Sequence, residues 1–237
     1  MVNSLREALL EGLFPEHCEL CGLRSYRPLP LCEPCAGELV PNSHCCPRCA
    51  VPLAANVAPG TNCGQCQRRP PPFERTVAPW VYEVRLAHII GRWKFHGERR
   101  LGRLLAALWW QARPEPGEVD LVLPVPLHWR RLWRRGFNQS YLFADALCRG
   151  GDAGPIEHRL ARRARATPAQ SGTTARRQRE ANLRGAFTVR GRCDNLRVAV
   201  VDDVMTTGAT AAALAQALKG AGAAGVEIWC LARTPPR

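Results

Sequence analysis

The sequence predicts an α/β protein, a parallel sheet with helices on both faces, preceded by a small metal-bound module. Three observations carry this. Four C-x-x-C pairs crowd the segment before residue 67, apolar strand-like runs alternate with helical spacing after residue 73, and one hydrophobic run ends in two aspartates and a hydroxyl- and glycine-rich turn.

The cysteine module comes first. Of twelve cysteines, nine lie between Cys18 and Cys66, and eight form the pairs Cys18/Cys21, Cys32/Cys35, Cys46/Cys49 and Cys63/Cys66. A C-x-x-C turn points two thiolates at one ion, and two such turns complete a tetrahedral sulfur site. Eight ligands therefore predict two zinc ions. The spacing is compatible with consecutive pairing, which makes a double zinc ribbon, and with alternating, cross-braced pairing. Sites closed by four thiolates are structural rather than catalytic. Cys45 lacks the spacing to Cys49 that Cys46 has, and Cys148, Cys193 and Cys230 read as small core residues. Gly22 and Gly64 each follow a ligand directly, where a positive φ is expected. So few large apolar side chains cannot fold fifty residues without metal. The proline run at 70–72 marks a boundary between an N-terminal helix with the double ribbon, residues 1–70, and a second domain, residues 71–237.

Beyond the prolines, Thr76–Tyr82 alternates as a strand, and Leu86, Ile89, Ile90 and Trp93 fall at helical spacing, as do Leu101, Leu104, Leu105 and Leu108. Val119–Pro126 reads as a buried strand and Phe137–Cys148 as a helix. Leu196–Val201 is the next strand, Ala209–Lys219 a helix and Val226–Leu231 the last strand. Strands alternating with helices imply a parallel sheet. Gly220, Gly222 and Gly225 match G-x-G-x-x-G, but follow a helix and precede a strand. The dinucleotide fingerprint requires the reverse order, so these glycines read as a helix end and turn.

Charge narrows the function. The formal net charge is +13, and from His128 to Arg192 fifteen arginines face four acids, which favours polyanionic partners. No stretch reaches the roughly 18 apolar residues that span a bilayer, so no membrane insertion and a cytoplasmic location are expected.

The most informative segment runs from Val198 through Asp202, Asp203, Thr206, Thr207, Gly208 and Ala209 to Thr210. Its amides and hydroxyls surround a helix N-terminus, which suits a phosphate monoester. Gly208 permits close backbone approach, while Asp202 and Asp203 suit a vicinal diol or a Mg²⁺ touching it. Phosphate at one end and a diol at the other describe ribose 5-phosphate. An N-cap with acids favouring the helix dipole explains part of the string, but two acids followed by Thr-Thr-Gly-x-Thr are far more specific.

This segment resembles the loop by which type I phosphoribosyltransferases bind phosphoribosyl pyrophosphate (PRPP). The resemblance widens with the C-x-x-C-rich N-terminus, Trp93-Lys94-Phe95-His96-Gly97, Pro124-Val125-Pro126 with the later Arg-Arg-Gly-Phe-Asn138, and Gln170-Ser-Gly with Arg176-Arg-Gln-Arg179 and Asn182. In this order the motifs resemble the ComF family, in which a double zinc ribbon precedes a type I phosphoribosyltransferase domain. Where this chain has Trp93-Lys94-Phe95-His96-Gly97, that family usually has Leu-Lys-Tyr-x-Gly, which keeps the lysine and the aromatic character.

The resemblance implies a competence role in natural transformation: cytoplasmic handling of incoming single-stranded DNA, with other competence proteins as partners. It further implies PRPP with Mg²⁺ as ligand, its ribose at Asp202 and Asp203 and its 5-phosphate at Thr206–Thr210. Val125, Pro126, Arg130 and Arg135 become candidates for pyrophosphate, and Gln170, Arg176, Arg179 and Asn182 for a mobile loop. Lys94, Arg99 and Arg100, with Trp93 and Phe95 nearby, form a candidate charge-plus-aromatic surface for single strands, although the spacing of Trp93 favours helix core. The alternative is an active phosphoribosyltransferase with an unidentified acceptor; no residue reads as its general base.

Overall fold

A computed structural model describes residues 16–112, 115–151, 153–164 and 185–236. The expected N-terminal helix and the candidates Gln170, Arg176, Arg179 and Asn182 lie outside the described residues. The cysteine module carries two short helices, α1 (Glu33–Gly37) and α2 (Gly64–Arg68), each beginning directly after a cysteine, Cys32 and Cys63.

The remaining elements follow in the order β1 (Arg75–Val77), β2 (Trp80–Val81), α3 (Val84–Phe95), α4 (Leu101–Gln111), β3 (Leu121–Pro124), α5 (Trp129–Arg135), α6 (Gln139–Gly150), β4 (Ala161–Arg163), β5 (Phe187–Val189), β6 (Arg197–Met205), α7 (Ala209–Gly220) and β7 (Gly225–Arg233). The main sheet is parallel, in the order β1-β7-β6-β3, with β2 pairing the far end of β7. Strands β4 and β5 form a separate antiparallel pair.

Strands β6 and β7 are near-continuous apolar runs because both faces of the sheet are covered. Alternation sorts their side chains into two cores. Val198, Val200, Ile228 and Cys230 pack with Leu214, Ala215 and Leu218 of α7. Ala199, Val201, Trp229 and Leu231 pack with the apolar faces of α3, α4 and α6. The cysteine module is divided between them: Cys46, Cys49 and Cys66 join the α7 core, whereas Cys18, Cys35, Leu31 and Leu39 join the other.

The expected strand over Thr76–Tyr82 is broken. Pro79 has no N–H for a ladder, and buried Asn42 fills the gap. Its side chain donates to Ala78 O at 3.0 Å and to Ala50 O at 2.8 Å, and its own N–H donates to Pro79 O at 2.8 Å. Strand β6 runs past the expected Val201 to Met205, since β7 continues beside it as far as the pair Met205–Arg233. The arginine-rich stretch after Pro126 contains a helix, α5, capped by His128, whose Nδ1 accepts from Arg130 N at 3.3 Å, and closed by Gly136 at φ +77°. Gly222, at φ +101°, sits in the turn after α7, as the order of elements required. Among the described residues no helix is long and apolar enough to cross a membrane.

Candidate functional site

The sulfur atoms gather as Cys18, Cys21, Cys32 and Cys35, and as Cys46, Cys49, Cys63 and Cys66, each set within 4.8 Å of one another. Pairing is therefore consecutive, and Cys45 is left out. Cys21 and Cys32 Sγ lie 3.7 Å apart, as do Cys49 and Cys63 Sγ. That is too long for a disulfide, at about 2.05 Å, and matches the edge of a tetrahedron with Zn–S of about 2.3 Å. The two sites fit two structural zinc ions.

Backbone donors prepare the thiolates: Leu20 N lies 3.4 Å from Cys18 Sγ, and Cys63 N lies 3.3 Å from Cys46 Sγ. Burial works to raise the Cys18 thiol, but backbone N–H groups outweigh it and pull the thiol down to about 6. Burial and the neighbouring sulfurs push Cys35 and Cys66 up. Sulfurs so crowded ionise together only around a cation. In each site the first pair makes a knuckle whose next residue is left-handed, Gly22 at φ +75° and Ala50 at φ +52°. The second pair opens a helix, so Gly64 does not take the expected positive φ.

The second cluster lies at the carboxyl ends of β3 and β6. Asp203 is buried and its carboxylate pairs with the Lys94 ammonium at 2.8 Å. Asp202 Oδ1 accepts from Ser140 Oγ at 3.0 Å and from Asp203 N at 2.9 Å. Burial and then the charge of Asp203 push the Asp202 carboxyl up to about 7, against the pull of Lys94 and Ser140. The chain then turns through Thr206 and Thr207 to Gly208, at φ +76°, which precedes α7. A Cβ at Gly208 would lie 2.7 Å from Met205 Cε, the free end of a flexible side chain, so it is the backbone angle that favours glycine. Thr207 Oγ1 accepts from Ala209 N at 3.3 Å.

Cations surround the two acids. Arg135 donates to Gln139 Oε1 at 2.5 Å and stacks over Phe95 with 5.4 Å to the ring centroid. Burial lowers its pKa, Asp203 opposes that, and Arg131 and Arg134 add to it. Arg163 on β4 is lowered likewise by burial and by Arg131, against the attraction of Asp202. Lys94, Arg131, Arg135 and Arg163 thus gather about the two carboxylates. Asn138 holds the loop after β3 in place: its Nδ2 donates to Val125 O at 3.1 Å, and its Oδ1 accepts from Ser140 N at 3.0 Å.

One buried guanidinium joins the two clusters. Arg233, at the end of β7, donates from Nε to Cys49 O at 2.9 Å and from Nη1 to Met205 O at 2.9 Å, to Thr234 O at 2.9 Å and to Thr206 O. A zinc-site backbone and the start of the threonine loop share one side chain. Beside it a cavity of about 540 Å³ opens between Cys66, Pro71, Phe73, Thr207 and Ala212.

Several sequence expectations change here. Lys94 is partly buried, with its ammonium held by the Asp203 carboxylate. Trp93 is fully buried, edge-on to Phe143 at 6.4 Å. Arg99 and Arg100 are both exposed; Arg100 pairs with Glu19 and Glu98, each at 3.3 Å, and Arg99 lies over Phe137. Arg130 is exposed and lies over Trp129, 5.2 Å from the ring centroid, and Arg131, one residue on, is the partly buried one. Val125 and Pro126 are both buried in the loop after β3, and the Val125 N–H donates to Val201 O at 2.9 Å. Ser140, Arg163 and Arg233 were not expected. Only the last had a signal, a charge ending a long buried apolar run.

A model of the double zinc ribbon domain matches residues 9–67. The DNA utilization protein YhgH of Salmonella typhimurium is 37% identical over 93% of this chain and 98% of its own length. Competence protein F of Haemophilus influenzae is 33% identical over 73% of this chain and 78% of its own, and competence protein ComFC of Bacillus subtilis 25% identical over 86% and 84%. A purine phosphoribosyltransferase of Pyrococcus horikoshii aligns over 60% of this chain and 73% of its own at 19% identity and a TM-score of 0.32, too slight a likeness to carry weight.

Proposed function

This chain belongs to the ComF family of competence and DNA-utilisation proteins, and on that premise we propose that its carboxyl-edge site binds PRPP with Mg²⁺ while the protein handles incoming single-stranded DNA in the cytoplasm. One observation carries the PRPP reading: the acid pair of β6, the Thr206–Thr210 loop opening α7, and the half-buried Arg135 and Arg163 converge on one strand edge. The loop amides and hydroxyls hold the 5-phosphate. Asp202 and Asp203 accept from the ribose hydroxyls, and Arg131, Arg135 and the Val125–Pro126 loop meet the pyrophosphate. Mg²⁺ prefers hard oxygen donors, which the two carboxylates and the ligand's own phosphates supply; its contribution is to neutralise pyrophosphate charge. Lys94 must share Asp203 with the incoming ribose.

The cavity between the second sulfur site and the threonine loop favours a second reading, transfer of phosphoribose to an acceptor seated there. In that reaction the acceptor attacks C1, the C1–oxygen bond breaks and pyrophosphate leaves with the electron pair. Calorimetric titration of Mg²⁺-PRPP into wild type and the Asp202→Asn/Asp203→Asn variant tests both, with pyrophosphate assayed in parallel. Binding by wild type and its loss in the variant are expected. No binding at millimolar PRPP sinks the reading, and pyrophosphate release favours transfer over binding alone.

A further inference from the structure

Helix α5 buries none of its seven residues. Its two indoles are 65% and 86% exposed at Trp129 and Trp133, while Trp93, Trp109 and Trp229 are fully buried. The indole N–H groups of Trp80 and Trp110 are tied to Leu108 O and Leu147 O. Two bare tryptophans on one short helix are costly to leave wet and mark a contact surface.

The helix has two sides. Residues four apart share a face, so Arg131 and Arg135, both partly buried, belong to the side near Asp203. Trp129 and Trp133 with Arg130 and Arg134, all four exposed, make the other. There the Arg130 guanidinium lies over the Trp129 ring, and the His128 ring lies 5.7 Å from it on the opposite neighbour in sequence. No acidic residue occurs between Asp120 and Asp145. Phe95, 74% exposed, and Arg99 adjoin the same end of the helix through Arg135 and Gly136.

We propose that the outward side of α5 is a stacking platform for single-stranded nucleic acid, with Trp129 and Trp133 taking two successive bases and Arg130 and Arg134 the flanking phosphates. The argument is charge complementarity joined to flat aromatic area. A duplex offers phosphates but hides its base faces, and an apolar protein partner has no use for the arginines. Single strands present both groups at once. The inference rests on the single-strand part of the proposal above and moves its contact from Lys94 and Arg100 to α5.

The test is fluorescence anisotropy of a labelled 20-nucleotide oligothymidylate with wild type, Trp129→Ala/Trp133→Ala, Trp129→Phe/Trp133→Phe and Arg130→Gln/Arg134→Gln, with a duplex of equal length as control. Stacking on exposed side chains predicts that the alanine pair weakens strand binding at least roughly tenfold and leaves the duplex unaffected, while the phenylalanine pair retains most of it. The glutamine pair should lower the slope of log affinity against log salt by about 1.4. Unchanged melting temperature and PRPP binding in the alanine pair show that the fold is intact. Equal strand binding by wild type and the alanine pair overturns the platform and leaves the broader single-strand reading standing. No strand binding by wild type overturns both. Self-association that disappears in the alanine pair, with strand binding unchanged, identifies a second copy as the occupant and also overturns it.

Discussion

The two four-cysteine sites share one ligand grammar and stand in different cores. The first sits with α3, α4 and α6, and its outer tie is electrostatic: Arg92 reaches Glu19 at 2.8 Å and Glu98 at 2.5 Å near the surface. The second is built into the α7 core, and buried Arg233 ties its Cys49 carbonyl to the loop that opens α7. The difference teaches that zinc can do two jobs here. One site closes a peripheral module, and the other props the loop that opens α7.

The largest effect should separate them directly. Cys66→Ser, which opens the second site, should lower the melting temperature by roughly 10 °C or more and abolish PRPP binding. Cys21→Ser, at the exposed ligand of the first, should release one zinc and change PRPP affinity less than about threefold. Zinc stoichiometry, melting and titration on each variant check this, and equal losses of PRPP affinity would erase the distinction.

The ties should differ next. Arg233→Ala leaves the buried Cys49 carbonyl without its donor and takes one donor each from Met205 O, which keeps Thr234 N–H, and Thr206 O, a loss of about 3 kcal/mol. Arg92→Ala breaks partly exposed pairs and should cost about 1 kcal/mol. Denaturant melts of both variants measure the gap.

Asp202 tests the loop side by pH. Its carboxyl is raised in the folded protein, so folding favours the protonated acid, and stability falls as pH rises from about 4 towards about 7. Asp202→Asn removes that penalty. The variant should melt a few degrees above wild type at pH 8, with the gain shrinking towards pH 5. A gain independent of pH would contradict the assignment.

The smallest effect compares the knuckles. Gly22 has open space around its missing Cβ, so Gly22→Ala meets only the cost of φ +75°, about 1 kcal/mol. The second site already carries Ala50 at φ +52°, buried in its core, and holds that strain through Asn42 at its carbonyl.

Much of this was legible because it is local. Cysteine spacing foretold two zinc sites, apolar periodicity foretold the sheet and its covering helices, and the Asp-Asp to Thr-Gly-x-Thr string foretold a strand, turn and helix. What escaped depends on residues far apart. Nothing near Lys94 in sequence says that Asp203 lies above it, and nothing near Arg233 says that a zinc knuckle and a threonine loop meet there. Helix α5 escaped for another reason: none of its residues is fully buried, and the side turned inward carries Arg131 and Arg135 rather than an apolar stripe.

The most direct measurement is amide hydrogen exchange across Thr206–Thr210, with and without Mg²⁺-PRPP. Phosphate held by the loop slows exchange there, and the effect disappears in Asp202→Asn/Asp203→Asn. Unchanged exchange at these amides under saturating PRPP would contradict the phosphoribosyl site.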